Sequence, residues 1–230
     1  MHLTESDPIS VEIFIKFLIQ ECSKYSNLFI LGDLFDYWIG DDSLHFESLY
    51  NHFKDLSKKT NIYFICGNRD FLVGESFFNA TKINPLPDVS LIKKNNQKII
   101  LMHGDILCTD DKEYQDFRKL SRSNKWKENF LKKSLQDRMN VCDDLRSGSE
   151  KAKQNKLEHI MDVNQHAVEK FFTKYCFPPL LIHGHTHRPK AHKKIFNNYD
   201  CQRWVLGDWQ KKANYLTLKD NGLSYCYLNS

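Results

Sequence analysis

Clusters of aspartate, asparagine and histidine follow short apolar runs at four points in the chain. The apolar runs are Leu28–Leu31, Ile62–Cys66, Ile99–Met102 and Leu180–Ile182. The clusters that follow them are Gly32-Asp33-Leu-Phe-Asp36, Gly67-Asn68-Arg-Asp70, His103-Gly-Asp105 and Gly184-His185-Thr-His187. In an open α/β fold, ligands bind where the carboxyl ends of the strands meet at one edge of the sheet. The four clusters therefore predict one site built from distant parts of the sequence.

These residue types indicate a metal site. Carboxylate, amide and imidazole ligands without clustered cysteine suit Mn, Fe or Zn, and they are too rich in imidazole for a dedicated Ca or Mg site. The ligands suffice for two ions that share a carboxylate, and paired ions can activate a water and neutralise a phosphoryl group under attack. Glycine precedes Asp33, Asn68 and His185, where a strand must turn sharply and its backbone must approach a ligand closely.

The histidines divide into expected ligands and expected structural residues. His185 and His187, one residue apart at a strand end, are predicted to be ligands. His183 alternates with them and is predicted to point into the sheet. The remaining candidates outside the clusters are interpreted as ordinary core or surface residues, namely His45, His52, His159, His166 and His192.

Composition narrows the class of protein. A chain of 230 residues suffices for one well-buried core. The longest apolar candidate, Val11–Ile19, carries Glu12 and Lys16 and is much shorter than the roughly 20 residues that span a bilayer. No basic segment with a small-residue cleavage site is present at the start, so we expect no export. Seven cysteines without a Cys-x-x-Cys pair predict free thiols in a reducing cytoplasm.

Positive charge is concentrated in one segment. The net charge is +4, but residues 118–156 contain 12 Lys/Arg and 5 Asp/Glu, a balance of +7, which leaves −3 for the rest of the chain. A basic segment on a mildly acidic body suggests an anionic partner, which would be a phosphorylated ligand, an acidic membrane surface or nucleic acid. Charge alone, however, favours a solvated helix surface over such a partner.

Hydrophobic patterning predicts an α/β fold. The first half alternates helices over 9–24 and 45–59 with strands at 28–31 and 62–66, and Pro85 and Pro87 mark a connection before the strand at 99–102. Residues 111–175 show no strand signal. We predict helices there over 112–120 (capped by Asp110 or Asp111), 126–139 and 162–175, with a break in 143–156 at Gly148. Alternation predicts antiparallel strands at 203–206, 214–218 and 223–228.

The motifs resemble the calcineurin-like metallophosphoesterases, and among them the family that hydrolyses UDP-2,3-diacylglucosamine in lipid A synthesis. The general resemblance is the series Gly-Asp-x-x-Asp, Gly-Asn-x-Asp, His-Gly-Asp and Gly-His-x-His. The closer one covers nearly the whole chain through Ile39-Gly-Asp-Asp42, Gly67-Asn-Arg-Asp-Phe71, Met102-His-Gly-Asp105, Leu107-Cys-Thr-Asp-Asp111, Ile160-Met-Asp-Val-Asn164 and His183-Gly-His-Thr-His-Arg-Pro189. Arg69 is a specific element, because the wider superfamily usually has histidine at that position.

The resemblance implies a fold and a metal site. It implies a single domain over residues 1–230, a four-layer αββα sandwich with a helical cap inserted over approximately 112–160. It also implies two Mn²⁺ ions bridged by Asp33. By position, His2 and His187 would hold the first ion, whereas Asn68, His103 and His185 would hold the second.

The resemblance also implies an activity. A metal-bound water, supported by Asn68, Arg69 and His185, would attack the α-phosphorus of UDP-2,3-diacylglucosamine and give UMP and 2,3-diacylglucosamine 1-phosphate. The implied substrate contacts are Asn68, Arg69, Asp111, Ser149, Lys153, Lys156 and His185. The family commonly has asparagine where Lys153 stands.

The basic segment then has a role at a membrane. A cap that reaches acyl chains would carry apolar side chains, here Trp126, Phe130, Leu131 and Leu135, beside cations that meet anionic headgroups. Ordinary helix packing explains the same four residues equally well. The resemblance implies an enzyme bound peripherally to the cytoplasmic face of the inner membrane, with neither nucleic acid nor an obligate protein as partner.

One departure from the family pattern concerns the first residues. The family opens with a strand ending in Asp-x-His, but His2 falls on the histidine and the aspartate position lies before Met1. We therefore expect the sequence as given to start late, by about ten residues or fewer, roughly one strand. Two alternatives stay open, a metallophosphoesterase of another nucleotide substrate and a binding protein without turnover.

Overall fold

A computed structural model describes residues 1–43, 46–155, 160–209 and 213–228, with only the backbone over 149–155. The α-helices are α1 Pro8–Gln20, α2 Glu47–Leu56, α3 Glu75–Thr81, α4 Lys112–Ser121, α5 Asn124–Leu131, α6 Leu135–Asn155 and α7 Gln165–Lys174. The strands are β1 Asn27–Ile30, β2 Asn61–Ile65, β3 Asn84–Leu86, β4 Val89–Lys94, β5 Gln97–Met102, β6 Leu180–His183, β7 Lys190–Phe196, β8 Tyr199–Val205, β9 Asn214–Lys219 and β10 Gly222–Tyr227. Short 3₁₀ turns lie at Cys22–Lys24 and Asp105–Leu107.

The strands form two larger sheets and a hairpin. One sheet has the order β1-β2-β3 and is parallel throughout. The other has the order β4-β5-β6-β8-β7, in which β5, β6 and β8 are parallel and the two outer strands are antiparallel to their neighbours. Strands β9 and β10 pair as an antiparallel hairpin. The carboxyl ends of the inner parallel strands are therefore available to build a site.

The core explains the layering, because inner strands buried on both faces must send alternate side chains to opposite layers. Leu101 and Ile182 pack between the two sheets, in a cluster with Leu31 and Ile65 of the smaller sheet. Ile100 and Leu181 face the other way and pack with Phe172 and Val168 of α7. Helices α1, α2 and α3 pack on the outer face of the smaller sheet through Phe14, Phe53 and Phe77. The predicted helix–sheet–sheet–helix sandwich is confirmed.

The helices over residues 112–155 differ in part from the predicted ones. Helix α4 begins at Lys112 as predicted, and the Asp111 carboxylate caps it by accepting from the Tyr114 amide at 3.2 Å. The helix predicted over 126–139 is instead divided between α5 and α6. The break predicted at Gly148 is wrong, since α6 continues to Asn155. A single interior glycine costs only about 1 kcal/mol relative to alanine, which a helix of this length tolerates.

Other differences concern edge strands. The segment interpreted as a connection contains β3 and β4, although β3 includes Pro85. Because β3 lies at the edge of its sheet, a proline there removes no inner ladder hydrogen bond. Strand β7, also at an edge, was not predicted.

Arg138 joins helix α6 to the loop that follows β1. Its guanidinium donates to the Asp42 carboxylate at 2.6 and 2.9 Å, to the Ile39 carbonyl at 3.1 Å and to the Leu131 carbonyl at 2.6 Å. The side chain is buried, so its hydrogen bonds hold α5 and α6 at a fixed place on the body of the molecule. In the part of the chain that the structure describes, no helix combines the length and the apolar composition that crossing a membrane requires.

Candidate metal centre

Four strand ends supply the candidate site, as the sequence predicts, but they belong to two sheets rather than to one sheet edge. Asp33 and Asn68 follow β1 and β2 of the smaller sheet, whereas His103 and His185 follow β5 and β6 of the larger one. The two sheets pack face to face, and their carboxyl ends bring these side chains together. The site therefore spans the interface between the sheets.

Three ligand-type atoms converge in one half of the site. The Asn68 Oδ1 atom lies 3.0 Å from His103 Nε2 and 2.9 Å from His185 Nδ1, and these two ring nitrogens are 3.2 Å apart. Asp33 Oδ1 lies 3.7 Å from His103 Nε2. Ligand atoms of Asp33, His103 and His185 all lie within 4.8 Å of one another. One cation at the centre of this group would meet an amide oxygen, a carboxylate and two imidazoles.

A second pair of imidazoles lies on the other side of Asp33. The Nε2 atoms of His2 and His187 are 3.2 Å apart, and His2 Nε2 lies 3.9 Å from Asp33 Oδ2. The two oxygens of Asp33 thus face different groups of histidines. This is the arrangement expected of a carboxylate that bridges two ions.

Asp208 is a further candidate that sequence reasoning missed. Its Oδ2 atom lies 3.9 Å from His187 Nδ1. It follows Gly207 just after β8, a parallel neighbour of β6, so it repeats the strand–Gly–Asp pattern that identified Asp33. That pattern was the available signal.

The donor set fits divalent cations. The ring nitrogen of His2 that faces His187 and Asp33 is Nε2, whereas Nδ1 is buried 3.8 Å from Asp36 Oδ1 and has no hydrogen-bond partner among the described residues. The Leu31 carbonyl lies 2.8 Å from His103 Nδ1 and accepts its N–H, which leaves the Nε2 lone pair directed into the site. Oxygen and imidazole donors of this kind suit Mn, Fe or Zn.

Burial and charge hold the candidate ligands in the protonation states that metal binding requires. Burial, and then the neighbouring His103, lower the pKa of His185 to about 4. Burial, and then the amino terminus, lower the pKa of His2 to about 2. Both rings are therefore neutral at pH 7, as ligation requires. Burial opposes ionisation of Asp33, but His103 and His2 together hold the pKa of its carboxyl below the usual range.

The backbone at the site is unusual. Asp33, His185, His187 and His2 all adopt left-handed conformations, with φ of 51°, 66°, 55° and 61°. Such conformations are uncommon for non-glycine residues and concentrate at functional sites. Gly32 has φ of 82°, and a Cβ atom there would overlap the Gly67 backbone. A Cβ on Gly67 would in turn overlap the Asp33 carboxylate, which supports the predicted need for close approach.

Asp70 and Tyr114 support the ligand loops. The Asp70 carboxylate accepts from the Gly67 amide at 2.7 Å and from the Leu34 amide at 2.8 Å, and so connects the loops after β1 and β2. The Tyr114 hydroxyl donates to Asp105 Oδ2 at 2.6 Å, two residues after His103. Its ring centroid lies 5.8 Å from that of His185. No sequence motif distinguished Tyr114 from an ordinary helix residue.

The structure describes the surroundings of only some of the predicted substrate contacts. Arg69 donates from Nη1 to Asp36 Oδ1 at 2.7 Å, and Arg146 of α6, which the sequence did not single out, lies 2.9 Å from Asp36 Oδ2. Asp111 lies at the start of α4. Lys156 lies outside the described residues, as do the side chains of Ser149 and Lys153, so these three stay predictions.

Two further sequence predictions can be checked against the structure. One is the structural role of His183, and the other concerns the four apolar residues of the basic segment, Trp126, Phe130, Leu131 and Leu135. His183 is fully buried in β6 and 3.0 Å from the Arg203 guanidinium, so its predicted structural role is confirmed. Phe130 is buried and Trp126 stacks on it at 4.9 Å, which is ordinary packing. Leu131 and Leu135 are exposed.

Known proteins resemble this chain in sequence. The model of the calcineurin-like phosphoesterase family matches residues 11–189. A UDP-2,3-diacylglucosamine hydrolase of Aromatoleum aromaticum is 45% identical over 221 residues, which cover 94% of this chain and 89% of that protein. Proteins of the same name from Vibrio vulnificus and Histophilus somni are 39% and 38% identical, with 97% and 98% of this chain and 93% and 96% of those proteins covered.

Proposed function

Since the chain belongs to the calcineurin-like phosphoesterase family, we propose that it hydrolyses the pyrophosphate bond of UDP-2,3-diacylglucosamine to UMP and 2,3-diacylglucosamine 1-phosphate. The observation that carries this proposal is the convergence of six ligand-type side chains from both sheets, in a chain whose relatives bear that hydrolase name over nearly their full length. The enzyme is accordingly a metal-dependent hydrolase of lipid A biosynthesis.

We infer that the site holds two Mn²⁺ ions. His2, His187 and Asp33 would hold one, and Asp33, Asn68, His103 and His185 the other. The spacing supports this division, because each Asp33 oxygen lies within 4 Å of an imidazole from a different group. Bound divalent ions would activate a water and neutralise the charge that develops on the phosphoryl oxygens.

The chain's own residues orient the substrate. Arg69 carries a planar guanidinium that matches phosphate oxygens, and in this structure one of its nitrogens holds Asp36. Asn68 and His185 follow β2 and β6 and would donate to or align the phosphates on either side of the scissile bond. Asp111, Ser149, Lys153 and Lys156 are proposed to contact the remainder of the substrate from the α4–α6 side, which we interpret as the cap inserted over approximately 112–160.

Attachment to the cytoplasmic face of the inner membrane is a further part of the proposal. Exposed leucines occur along the basic segment at Leu120, Leu131, Leu135 and Leu145. Exposed apolar side chains among lysines and arginines are typical of surfaces that contact an anionic lipid layer. We propose that these helices deliver a lipid substrate to the metal centre without an obligate protein partner and without nucleic acid.

Release of UMP from UDP-2,3-diacylglucosamine, with Mn²⁺ added to chelator-treated protein, tests the function. We expect Mn²⁺-dependent release, and much less hydrolysis of UDP-glucosamine, which lacks acyl chains. Equal or faster turnover of a nucleotide polyphosphate would favour the alternative of another nucleotide substrate. Binding of the lipid substrate without any hydrolysis would favour the alternative of a non-catalytic binding protein.

A further inference from the structure

Helix α4 contacts the ligand loops of both sheets through two arginines that the proposed reaction does not use. Arg118 lies in the last turn of α4, and Arg122 directly follows the helix. Each side chain is only 16% exposed, although both belong to the basic segment. Guanidinium groups that are withdrawn from solvent to this extent need partners within the protein.

Arg118 holds the loop that follows β5 of the larger sheet. Its Nε donates at 2.7 Å to Asp105 Oδ2, an atom of a buried side chain. The Tyr114 hydroxyl donates to the same oxygen, and the side-chain amide of Gln115 donates to the Asp105 carbonyl at 2.8 Å. Asp105 is two residues from His103, so α4 fixes the loop that carries this candidate ligand.

Arg122 holds the loop that follows β2 of the smaller sheet. Its Nη2 donates to the Gly67 carbonyl at 2.7 Å, and its guanidinium carbon lies 4.9 Å from the centroid of the Phe71 ring. Gly67 directly precedes Asn68, and it lies so close to Asp33 that a Cβ atom on it would overlap that carboxylate. Displacement of the Gly67 peptide would therefore disturb a candidate amide ligand and the candidate bridging carboxylate.

Asp88 joins the two arginines where the chain passes from one sheet to the other. It lies between β3 of the smaller sheet and β4 of the larger one. Its Oδ2 accepts from Arg118 Nη2 at 2.7 Å, and its Oδ1 lies 3.8 Å from Arg122 Nη1. A guanidinium is planar and directs its donors at fixed angles, so several partners on each group fix the loops relative to α4.

We propose that Arg118 and Arg122 are positioning residues, which hold the loops of His103 and Asn68 at the spacing that one metal ion needs before that ion binds. The two loops belong to different sheets, and α4 connects them without the metal. The inference rests on the proposed metal centre but not on the identity of the substrate. Neither arginine is assigned a substrate contact, because their donors face acceptors of the protein.

Amide hydrogen exchange of the metal-free protein tests the positioning directly. Glutamine at either position keeps a polar side chain but removes the charge and the planar guanidinium. We expect Arg122→Gln to accelerate exchange across residues 66–70 and Arg118→Gln to accelerate it across residues 103–107, each at least about tenfold. Arg122→Lys retains the charge and can still donate, so it is expected to fold and to give a smaller acceleration.

Arg138→Gln is the matched control for a general loss of stability. Arg138 is also a buried arginine that donates to a carboxylate and to backbone carbonyls, but its partners Ile39, Asp42 and Leu131 lie outside both loops. We expect R138Q to lower the melting temperature as the other variants do. Exchange across the two loops is expected to stay close to that of the parent protein.

Titration calorimetry with Mn²⁺ measures the consequence for the metal centre. We expect R118Q and R122Q to weaken binding of the ion that Asn68 and His103 would share at least about tenfold, and R138Q to leave it unchanged. In the hydrolysis assay, we expect kcat of R118Q and R122Q to fall at limiting Mn²⁺ and to recover at saturating Mn²⁺, without a change in KM.

Three results would overturn the proposal. The first is unchanged exchange in both loops of the metal-free glutamine variants. The second is an equal loss of Mn²⁺ affinity in R138Q, which indicates general destabilisation. The third is a raised KM at saturating Mn²⁺ with unaltered metal affinity, which indicates that the arginines bind substrate. A parent protein that binds no Mn²⁺ would instead refute the proposed metal centre, and exchange of the metal-free variants would still decide whether the arginines hold the loops.

Discussion

Asp33 connects the two groups of histidines, because its oxygens approach His2 on one side and His103 on the other. Asp33→Asn keeps the shape but removes the negative charge that a bridge between two cations needs. We expect Mn²⁺ binding to weaken at least about 100-fold, measured by titration calorimetry. Asp116→Asn, an equal change at an exposed residue of α4, serves as the control. Two tightly bound Mn²⁺ ions in D33N would contradict the bridging role.

Asp70 is buried and accepts hydrogen bonds from two ligand loops at once. In Asp70→Asn, an amide nitrogen replaces one of the two acceptor oxygens. This nitrogen is itself a donor, so one backbone N–H loses its hydrogen-bond acceptor. We expect the free energy of unfolding to fall by about 1–3 kcal/mol, measured by urea denaturation without metal. Asp55→Asn at an exposed residue of α2 is expected to change it little. Unaltered stability in D70N would show that the two loops do not depend on this carboxylate.

At the scale of elements, the continuity of α6 leads to a prediction for Gly148. Among the atoms that the structure describes, a Cβ atom on Gly148 would meet nothing within 4 Å. Gly148→Ala is therefore expected to stabilise the protein by about 0.4–1 kcal/mol, because alanine restricts the unfolded chain and suits a helix. Thermal and urea unfolding measure the change.

The same substitution at Gly32 is the informative comparison. Gly32 has φ of 82°, and its Cβ would overlap the Gly67 backbone, so Gly32→Ala is expected to destabilise the protein and disturb the metal centre. If G148A also destabilises the protein, helix α6 does not continue through residue 148 as the structure describes it.

The inner strands and the candidate ligands that follow them were predictable from sequence because apolar runs and polar clusters adjoin there. The edge strands were less predictable: β3 contains Pro85, and β7 has three lysines among its seven residues. The break predicted at Gly148 was wrong, because the low helix propensity of one glycine does not outweigh the continuity of a long helix. Asp208 had the strand–Gly–Asp signal, whereas Arg146 and Tyr114 acquire their positions from tertiary packing, which no local pattern encodes.

At the scale of the whole molecule, the basic α4–α6 segment predicts salt-sensitive membrane binding. Cosedimentation with vesicles that contain phosphatidylglycerol is expected at low salt and should weaken steeply near 0.3 M salt, because screening shortens the reach of charges. The triple change Lys125→Glu, Lys132→Glu and Lys133→Glu is expected to lower binding at least about 100-fold, at roughly 1 kcal/mol per lysine.

An equal change of charge elsewhere controls for net charge. Lys59, Lys82 and Lys193 are exposed and lie outside the basic segment, so their replacement by glutamate should leave vesicle binding much closer to that of the parent. If both triple variants lose binding equally, attraction depends on overall charge and the α4–α6 segment has no special role.

The candidate ligands come from two separate sheets that touch through the cluster containing Ile65, Leu101 and Ile182. Bound cations would therefore act as crosslinks between those sheets. A small slide of one sheet over the other lengthens several coordination bonds together, even though no ligand side chain has itself been altered. Retention of the ions would therefore depend on the packing of this apolar cluster. Loss of a single methyl group there would weaken metal binding although no ligand is changed.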